Sequence, residues 1–458
     1  MDGGAGIPRG RPELARARKR LGMNQDDAAE ALLVATTTVS RWERGRQDIR
    51  PVYRARIAAV FGVTGEEVER WVEGGEPVET EVFPLTDFSD MSMESTVKVA
   101  EKIWRAEVDL ERRHLLAALP FVPAAVDGWL SAWSYGPSGS AASQAAGRAV
   151  GMPDVDRLHQ MWRTLSRLDH QYGSAIARPA VVDYLNTTVA PMLRGTYNER
   201  VGAALLPAAA EIVSLVGWTA FDQGNHGQAQ HYYGQALKLA KVADNPLFGA
   251  HVLTNMSLQA IYTGEHKQAA LLARAAVDSA RRGEAPPRFM ALLLVREAWT
   301  RALITRPGQT GDGHSAKEVE KLIGEGERAF AQGASDRDPY WSVRYDEHEL
   351  GAETAVSWRL LGQADRAVEN AESAARRFTL PRPRSAQLTW ISAAHAYLGK
   401  RELEQALDTA RRSLSDTGLA PSPRVVERLK QFDKRLKPYE KTIKVAEFRA
   451  HVAQRLAV

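Results

Sequence analysis

The sequence predicts an all-α protein, a small five-helix head followed by an α-solenoid. Three observations lead there. Alternating β-branched runs bounded by turns are nearly absent, while 3.6-residue apolar periodicity runs through most of the chain. A basic amino-terminal stretch gives way abruptly to an acidic one, which separates a small module from the rest. Beyond residue 200, one residue skeleton returns about every forty residues.

Length and composition agree with this division. At 458 residues the chain exceeds one compact domain. Its 44% apolar and 25% charged content is that of a globular protein. The absence of cysteine excludes disulfides, thiolate zinc sites and cysteine nucleophiles, and suits a reducing, cytoplasmic setting. The opening "MDGGAGIPRGRPELARARKR" lacks the apolar core of a signal peptide. "LLAALPFVPAAVDGWL", read as the most apolar stretch, is broken by two prolines and an aspartate and is too short to span a bilayer. A soluble protein with no membrane partner is expected.

In the head, helices are predicted at about 12–21, 25–31, 36–44, 51–61 and 64–73. Asn24 can cap the second, with Asp27 as its capping-box partner. Pro51 suits the first turn of the fourth. In the third, "TTTVSRWERG" (36–45), Val39 and Trp42 join Ala29 and Leu32 in a stripe able to pack on Ile57 and Val60. That leaves Thr36, Thr37, Ser40, Arg41 and Arg44 facing outward. A helix presenting hydroxyls and arginine in this way suits a DNA major groove: threonine can meet a thymine methyl or a base-edge acceptor, and arginine can hold guanine bidentately. Residues 9–56 carry twelve Lys/Arg against six Asp/Glu, and residues 73–94 carry seven acids and no base. A polyanion-binding module on a tether follows from that balance.

"NQDDAAEALLVATTTVSRWERGRQDIRP" (24–51) resembles the lambda-repressor-like, or XRE-type, helix-turn-helix, over about residues 12–72. The resemblance implies that Thr36, Thr37, Ser40 and Arg41 face base edges and that Gln25 and Arg44 contact phosphates. Arg46 is taken with them as a phosphate contact. It also implies a structural ion pair between Arg18 and Glu43. Two residues depart from the family pattern: Leu33 stands where glycine is usual, and Ala35 where a Ser or Thr cap is usual. Thr36 is then the expected cap, which would leave it less free to read a base.

The recurring skeleton pairs Gly224 with Ala229 and Ala236, Gly264 with Ala269 and Ala276, and Gly362 with Ala367 and Ala374. A fourth copy has Ala406 seven rather than five residues after Gly399. Glycine ends the first helix of a hairpin in a left-handed turn, and the small residues let helices pack closely. Residues 287–332 read as a degenerate unit with a loop, "TRPGQTGDGHS". The array, about 200–415, resembles tetratricopeptide repeats with long hairpins. Domains are expected at 9–73 (head), 74–94 (acidic linker), 95–199 (helical region split by "SYGPSGSAASQAAG") and 200–458 (repeats with C-terminal capping helices).

Stacked hairpins form a concave groove lined by the first helix of each pair. The skeleton directs Ser214, Trp218, Asp222, His251, Thr254, Leu258, Trp299 and Glu349 towards it, chemistry suited to a peptide or small molecule. Other motifs carry less. "GQTGDGHS" (308–315) has His314 where a phosphate loop needs lysine, and no strand precedes it, so a flexible turn is expected. "DEHELGAE" (346–353) lacks a second histidine at metal spacing and reads as a solvated helix face. "RVVERLKQFDKRLKPYEKTIK" is basic and amphipathic and reads as a capping helix. No metal site, cofactor motif or catalytic signature is expected, and no enzyme.

Head and repeats together resemble tetratricopeptide-containing XRE regulators, which include peptide-responsive quorum sensors and a large actinobacterial group; "RPAVVDYLNTTVAPMLRGTY" (178–197) resembles the latter. The resemblance implies a dimer formed through the repeats, a pseudo-palindromic double-stranded operator, and a transcription regulator whose repeats sense a peptide or small-molecule effector. A protein-interaction scaffold localised by its head is the alternative, and an enzyme in 95–195 a third reading.

Overall fold

The structure is a computed structural model and describes residues 11–21, 23–73, 83, 85–137, 147–305, 313–342, 345–378, 382–414 and 422–456. Most of the stretch expected as the acidic linker (74–82 and 84) lies outside the described residues, as do 138–146 and 308–312 of the stretch expected as a flexible turn. The chain divides into two units, 1–83 and 84–458. All the described elements are helical, apart from an isolated bridge between Ala149 and Thr196.

The first unit holds α1 (Pro12–Arg20), α2 (Gln25–Leu32), α3 (Thr36–Glu43), α4 (Pro51–Phe61) and α5 (Gly65–Glu73). Prolines open α1 and α4, where the missing N–H would have no helical partner. Asn24 caps α2 through the backbone N–H groups of Asp26 and Asp27 at 2.7 and 2.9 Å, and Asp27 accepts from the Asn24 N–H at 2.8 Å. Leu14, Leu32, Val39, Trp42, Ile57 and Val68 build the core. Val60 packs only at its edge.

The turn between α2 and α3 carries strain. Leu33 adopts a left-handed conformation, φ 54°, and closes α2 while Val34 donates to Ala29 O at 2.9 Å. A Cβ costs roughly 1–2 kcal/mol there. Its side chain is 74% exposed, so packing returns little of that. Leu33→Gly is therefore expected to stabilise the unit by about 0.5–1 kcal/mol, after allowing for glycine's freer unfolded chain. Urea unfolding of the two proteins checks this; a loss of stability would mean that the leucine side chain holds the turn. Thr36 is not the cap: Ala35 occupies that position without a side-chain bond, and the Thr36 hydroxyl donates to Asp26 at 2.6 Å.

The second unit begins with α6 (Met93–Val108), α7 (Leu110–Ala117) and α8 (Ala125–Tyr135), then α9 (Met152–Tyr172), α10 (Ser174–Tyr184), a π turn (Leu185–Val189) and α11 (Ala190–Leu193). Five helical hairpins follow: α12 (Glu199–Asp222) with α13 (His226–Val242), α14 (Pro246–Thr263) with α15 (His266–Arg282), α16 (Pro287–Ile304) with α17 (Gly313–Ala331), α18 (Glu347–Leu360) with α19 (Ala364–Arg377), and α20 (Pro383–Gly399) with α21 (Leu403–Arg412). They are succeeded by α22 (Pro423–Arg435) and α23 (Ile443–Leu456).

The hairpin turns explain the repeat skeleton. Gly224, Gly264 and Gly362 take φ 80°, 83° and 77°, and each following N–H closes the helix on a carbonyl five residues back. In the fourth copy the left-handed residue is Arg401, φ 64°, with Glu402 N–H on Tyr397 O at 3.0 Å. Counted from Arg401, Ala406 returns to the five-residue spacing of the other copies. The copy is regular, and Gly399 is simply the last residue of α20.

A second strongly apolar stretch is α12. It is long and apolar enough to cross a membrane by length and composition, and 78% of that window is buried within the protein. α9, α10 and α13 surround it. The helices α6, α7 and α8 lie against α13, and α8 also against α15. A Cβ on Gly234 of α13 would lie 2.8 Å from the Trp129 ring, and one on Gly249 of α14 would collide with the Trp133 ring; Trp104 donates to Gln235 at 2.8 Å. At the other end, Val425, Leu429 and Phe432 of α22 and Phe448 of α23 close the core of the fifth hairpin.

Candidate functional site

In the first unit, the face of α3 is held from behind by charge. Glu43 accepts from Arg18 Nε at 2.7 Å and Nη2 at 3.3 Å, with both side chains 8% exposed. Arg18 also donates to Met23 O at 2.8 Å, so one guanidinium ties α1, the entry to α2 and the end of α3 together. Gln25 donates its amide to Glu43 Oε2 at 2.6 Å, so one of its two amide protons is turned inward. Beyond α3, Arg11 fixes the chain by donating to Gln47 O at 2.8 Å and pairing with Asp48 at 3.0 Å.

The outward residues sort into two groups. Thr37, Arg41, Arg44 and Arg46 are exposed. Ser40 is buried, contrary to its expected outward position. Its hydroxyl accepts from Arg44 Nη2, and the arginine one turn on covers it. Thr36 is half-buried and occupied by Asp26. A positive exposed row from α3 through Arg46, carried on an immobilised helix, is suited to phosphate and base-edge contacts.

The helix-turn-helix family model matches residues 14–68. This segment is a helix-turn-helix domain. The domain is of the kind by which transcription regulators bind DNA, and it covers α1 to the middle of α5. No curated protein matches the chain.

The second unit contains a groove with a cavity of about 290 Å³. It is lined by α9, by α22, by the segment around Trp341 and by the first helix of every hairpin, α12, α14, α16, α18 and α20. Ser214, Trp218, His251, Leu258, Trp299 and Glu349 line it. Asp222 and Thr254 do not. Asp222 is buried behind the wall, accepting from Arg384 Nη1 at 2.6 Å and Arg424 Nη1 at 3.4 Å, and Thr254 is covered by Arg296, which donates to its carbonyl at 3.3 Å.

Charge in the groove is arranged by burial. Burial would raise the Asp169 carboxyl, but Arg384, at 2.9 Å, outweighs it and brings the group to about 2. Burial pushes Glu211 well above the usual carboxylate range, and Tyr340 donates its hydroxyl to it. Burial lowers His251 to about 4, leaving it neutral. Tyr262 would be raised by burial, yet Arg424 and Arg428 beside it bring it down to about 8. The stretch 346–353 is not the solvated face expected. Asp346 caps α18, Glu349 accepts from Ser385 at 3.1 Å, and Glu353 pairs with buried Arg296. As the first helix of its hairpin, α18 turns that face to the groove.

Sequence reading missed the arginines of the groove. Arg384 sits near the start of α20, and Arg424 and Arg428 stand four apart on one side of α22. That spacing was visible in "RVVERLK", where two arginines share a helix face. What it could not disclose was that α22 folds back to α14, where Arg424 lies 4.9 Å and Arg428 4.5 Å from the Tyr262 ring. Among the described residues there is no cluster of three metal-ligating side chains.

Proposed function

We propose that the chain is a sequence-specific, cytoplasmic transcription regulator that acts as a dimer through its helical array. In this reading the two α3 helices enter successive major-groove faces of a pseudo-palindromic operator, and an effector in the groove shifts operator affinity by preferring one arrangement of the dimer. The observation that carries the DNA reading is the exposed Thr37–Arg41–Arg44 face on a helix-turn-helix domain. The groove supports a small effector: its volume stands at the lower end of the range of small-ligand pockets, about 300–1,000 Å³. Aromatic walls and a few convergent polar groups are the usual lining of such pockets.

Arg41→Ala is expected to cost about 1–3 kcal/mol on the cognate site and to relax sequence preference, while Arg44→Ala weakens all sequences alike and flattens the salt dependence. Fluorescence anisotropy over a salt series, with a selected site and a scrambled duplex, separates the two roles. Equal losses from Arg41→Ala on both duplexes would remove it from base reading. The same affinity of the unaltered protein for every duplex would favour an interaction scaffold instead.

A further inference from the structure

Most guanidinium groups in the wall of the groove meet a carboxylate: Arg384 on α20 holds Asp169 and Asp222, Arg424 on α22 reaches Asp222, and Arg296 on α16 holds Glu353 on α18. Two arginines depart from that pattern. Arg359 and Arg428 both line the cavity, and neither has a carboxylate within ion-pair distance among the described residues. Arg359 Nε is buried with no hydrogen-bond partner. Arg428 donates to Gln431 at 3.1 Å and lies over the rings of Tyr262 and Trp299. Arg435 gives its Nη1 proton to His395 Nδ1 at 3.1 Å, which leaves the imidazole neutral with Nε2 as a donor. Burial, and then the charges of Arg428 and Arg435, push Arg359 down to about 9, still charged at neutral pH.

A like-charge group of this kind costs stability unless something negative offsets it. Fork-shaped guanidinium donors converging from separate helices are the geometry that holds a phosphate or carboxylate. Next to them, Trp299, Leu258, Val356 and Leu388 offer apolar wall. We infer that the groove binds a small amphipathic anion, its phosphate or carboxylate head held by Arg359, Arg428 and His395 and its apolar body lying against Trp299 and its neighbours. This names the effector class for the regulator proposed above and rests on that reading only for its regulatory consequence.

The test is calorimetric titration of the full chain with phenyl phosphate, phenylacetate, inorganic phosphate and benzyl alcohol at matched ionic strength. At least one of the two aromatic anions should bind roughly tenfold or more tighter than benzyl alcohol, and the better of the two tells phosphate from carboxylate. Arg359→Met and Arg428→Gln should each weaken that anion about tenfold or more, whereas Lys267→Gln, an exposed charge on α15, should not. Without ligand, Arg359→Met should raise the melting midpoint, because a half-buried guanidinium whose Nε has no partner has gone from beside other arginines. Equal binding of benzyl alcohol, no saturable anion binding, unaffected arginine variants or a lower melting midpoint for Arg359→Met each overturn the inference. Operator anisotropy on the same samples keeps the two readings apart. Anion binding without any change in operator affinity leaves the site standing and removes the switch; sequence-specific operator binding without anion binding removes the site and leaves the DNA-binding reading standing.

Discussion

Glu43→Ala lowers the stability of the helix-turn-helix domain by about 3–5 kcal/mol, the usual cost of leaving one charge of a buried pair alone. Arg18 and Glu43 are each 8% exposed, so water cannot replace the lost carboxylate. Among the described residues the Arg18 guanidinium keeps the Met23 carbonyl alone, and Gln25 loses its acceptor. The entire face of α3 rests on this junction, so operator binding should fall with the folded fraction. Amide hydrogen exchange of residues 14–68 in the intact chain measures it: opening free energies in α1–α3 should drop while those of α12–α16 stay unchanged. The pair Arg18→Met with Glu43→Leu should recover most of the loss, since apolar residues of similar volume commonly replace a buried ion pair at little cost. Unaltered exchange in Glu43→Ala would mean that the packing of Trp42 and Val39 alone seats the helix.

Arg384→Ala has an effect of similar size in the second unit, about 3–5 kcal/mol. This guanidinium on α20 bridges Asp169 on α9 and Asp222 on α12, both 1% exposed, and so joins the fifth hairpin to the beginning of the array. The pH dependence gives the sharper reading. In the native protein Asp169 titrates near 2, below its unfolded value. Its contribution is therefore full above the ordinary carboxylate range and is lost as pH falls from there towards 2. Without Arg384, burial governs the carboxyl and raises it. The sign reverses, and the variant loses stability as pH rises through that range. Urea unfolding at about pH 5 and about pH 7 should show the deficit growing with pH. A deficit independent of pH would assign the role of Arg384 to packing of its stem.

Much of the architecture could be read from local pattern. Asn24 and Asp27 make a capping box whatever surrounds them, and Gly224, Gly264 and Gly362 mark hairpin turns because the left-handed region favours residues without a Cβ. The fourth turn departs from that pattern: Gly399 is helical, and the left-handed position falls on Arg401, which no residue preference marks. On α3, the 3.6-residue rule separated Val39 and Trp42 from Arg41 and Arg44. It placed Ser40 outward as well, because periodicity does not register that a serine hydroxyl can be covered by the arginine one turn on.

The groove divides along the same line. First helices of hairpins face the concave side by geometry, so Trp218, His251, Leu258 and Trp299 could be named from register. Asp222 failed because its fate depends on Arg384 and Arg424, 162 and 202 residues away. The stretch 346–353 looked solvated because its arginine partners are remote in sequence: Arg296 comes from α16 and Arg382 from the residue that precedes α20.

The helix-turn-helix head, its exposed arginines and the succession of hairpins are legible because interactions within a few residues set them, and propensity and periodicity encode those. The return of α20 and α22 to α9, α12 and α14 is visible in the folded molecule and nowhere else, because single long-range ion pairs and ring contacts make that closure and leave no periodic trace. With it came the paired arginines of the groove and, beside them, Arg359 and Arg428 without a carboxylate partner among the described residues.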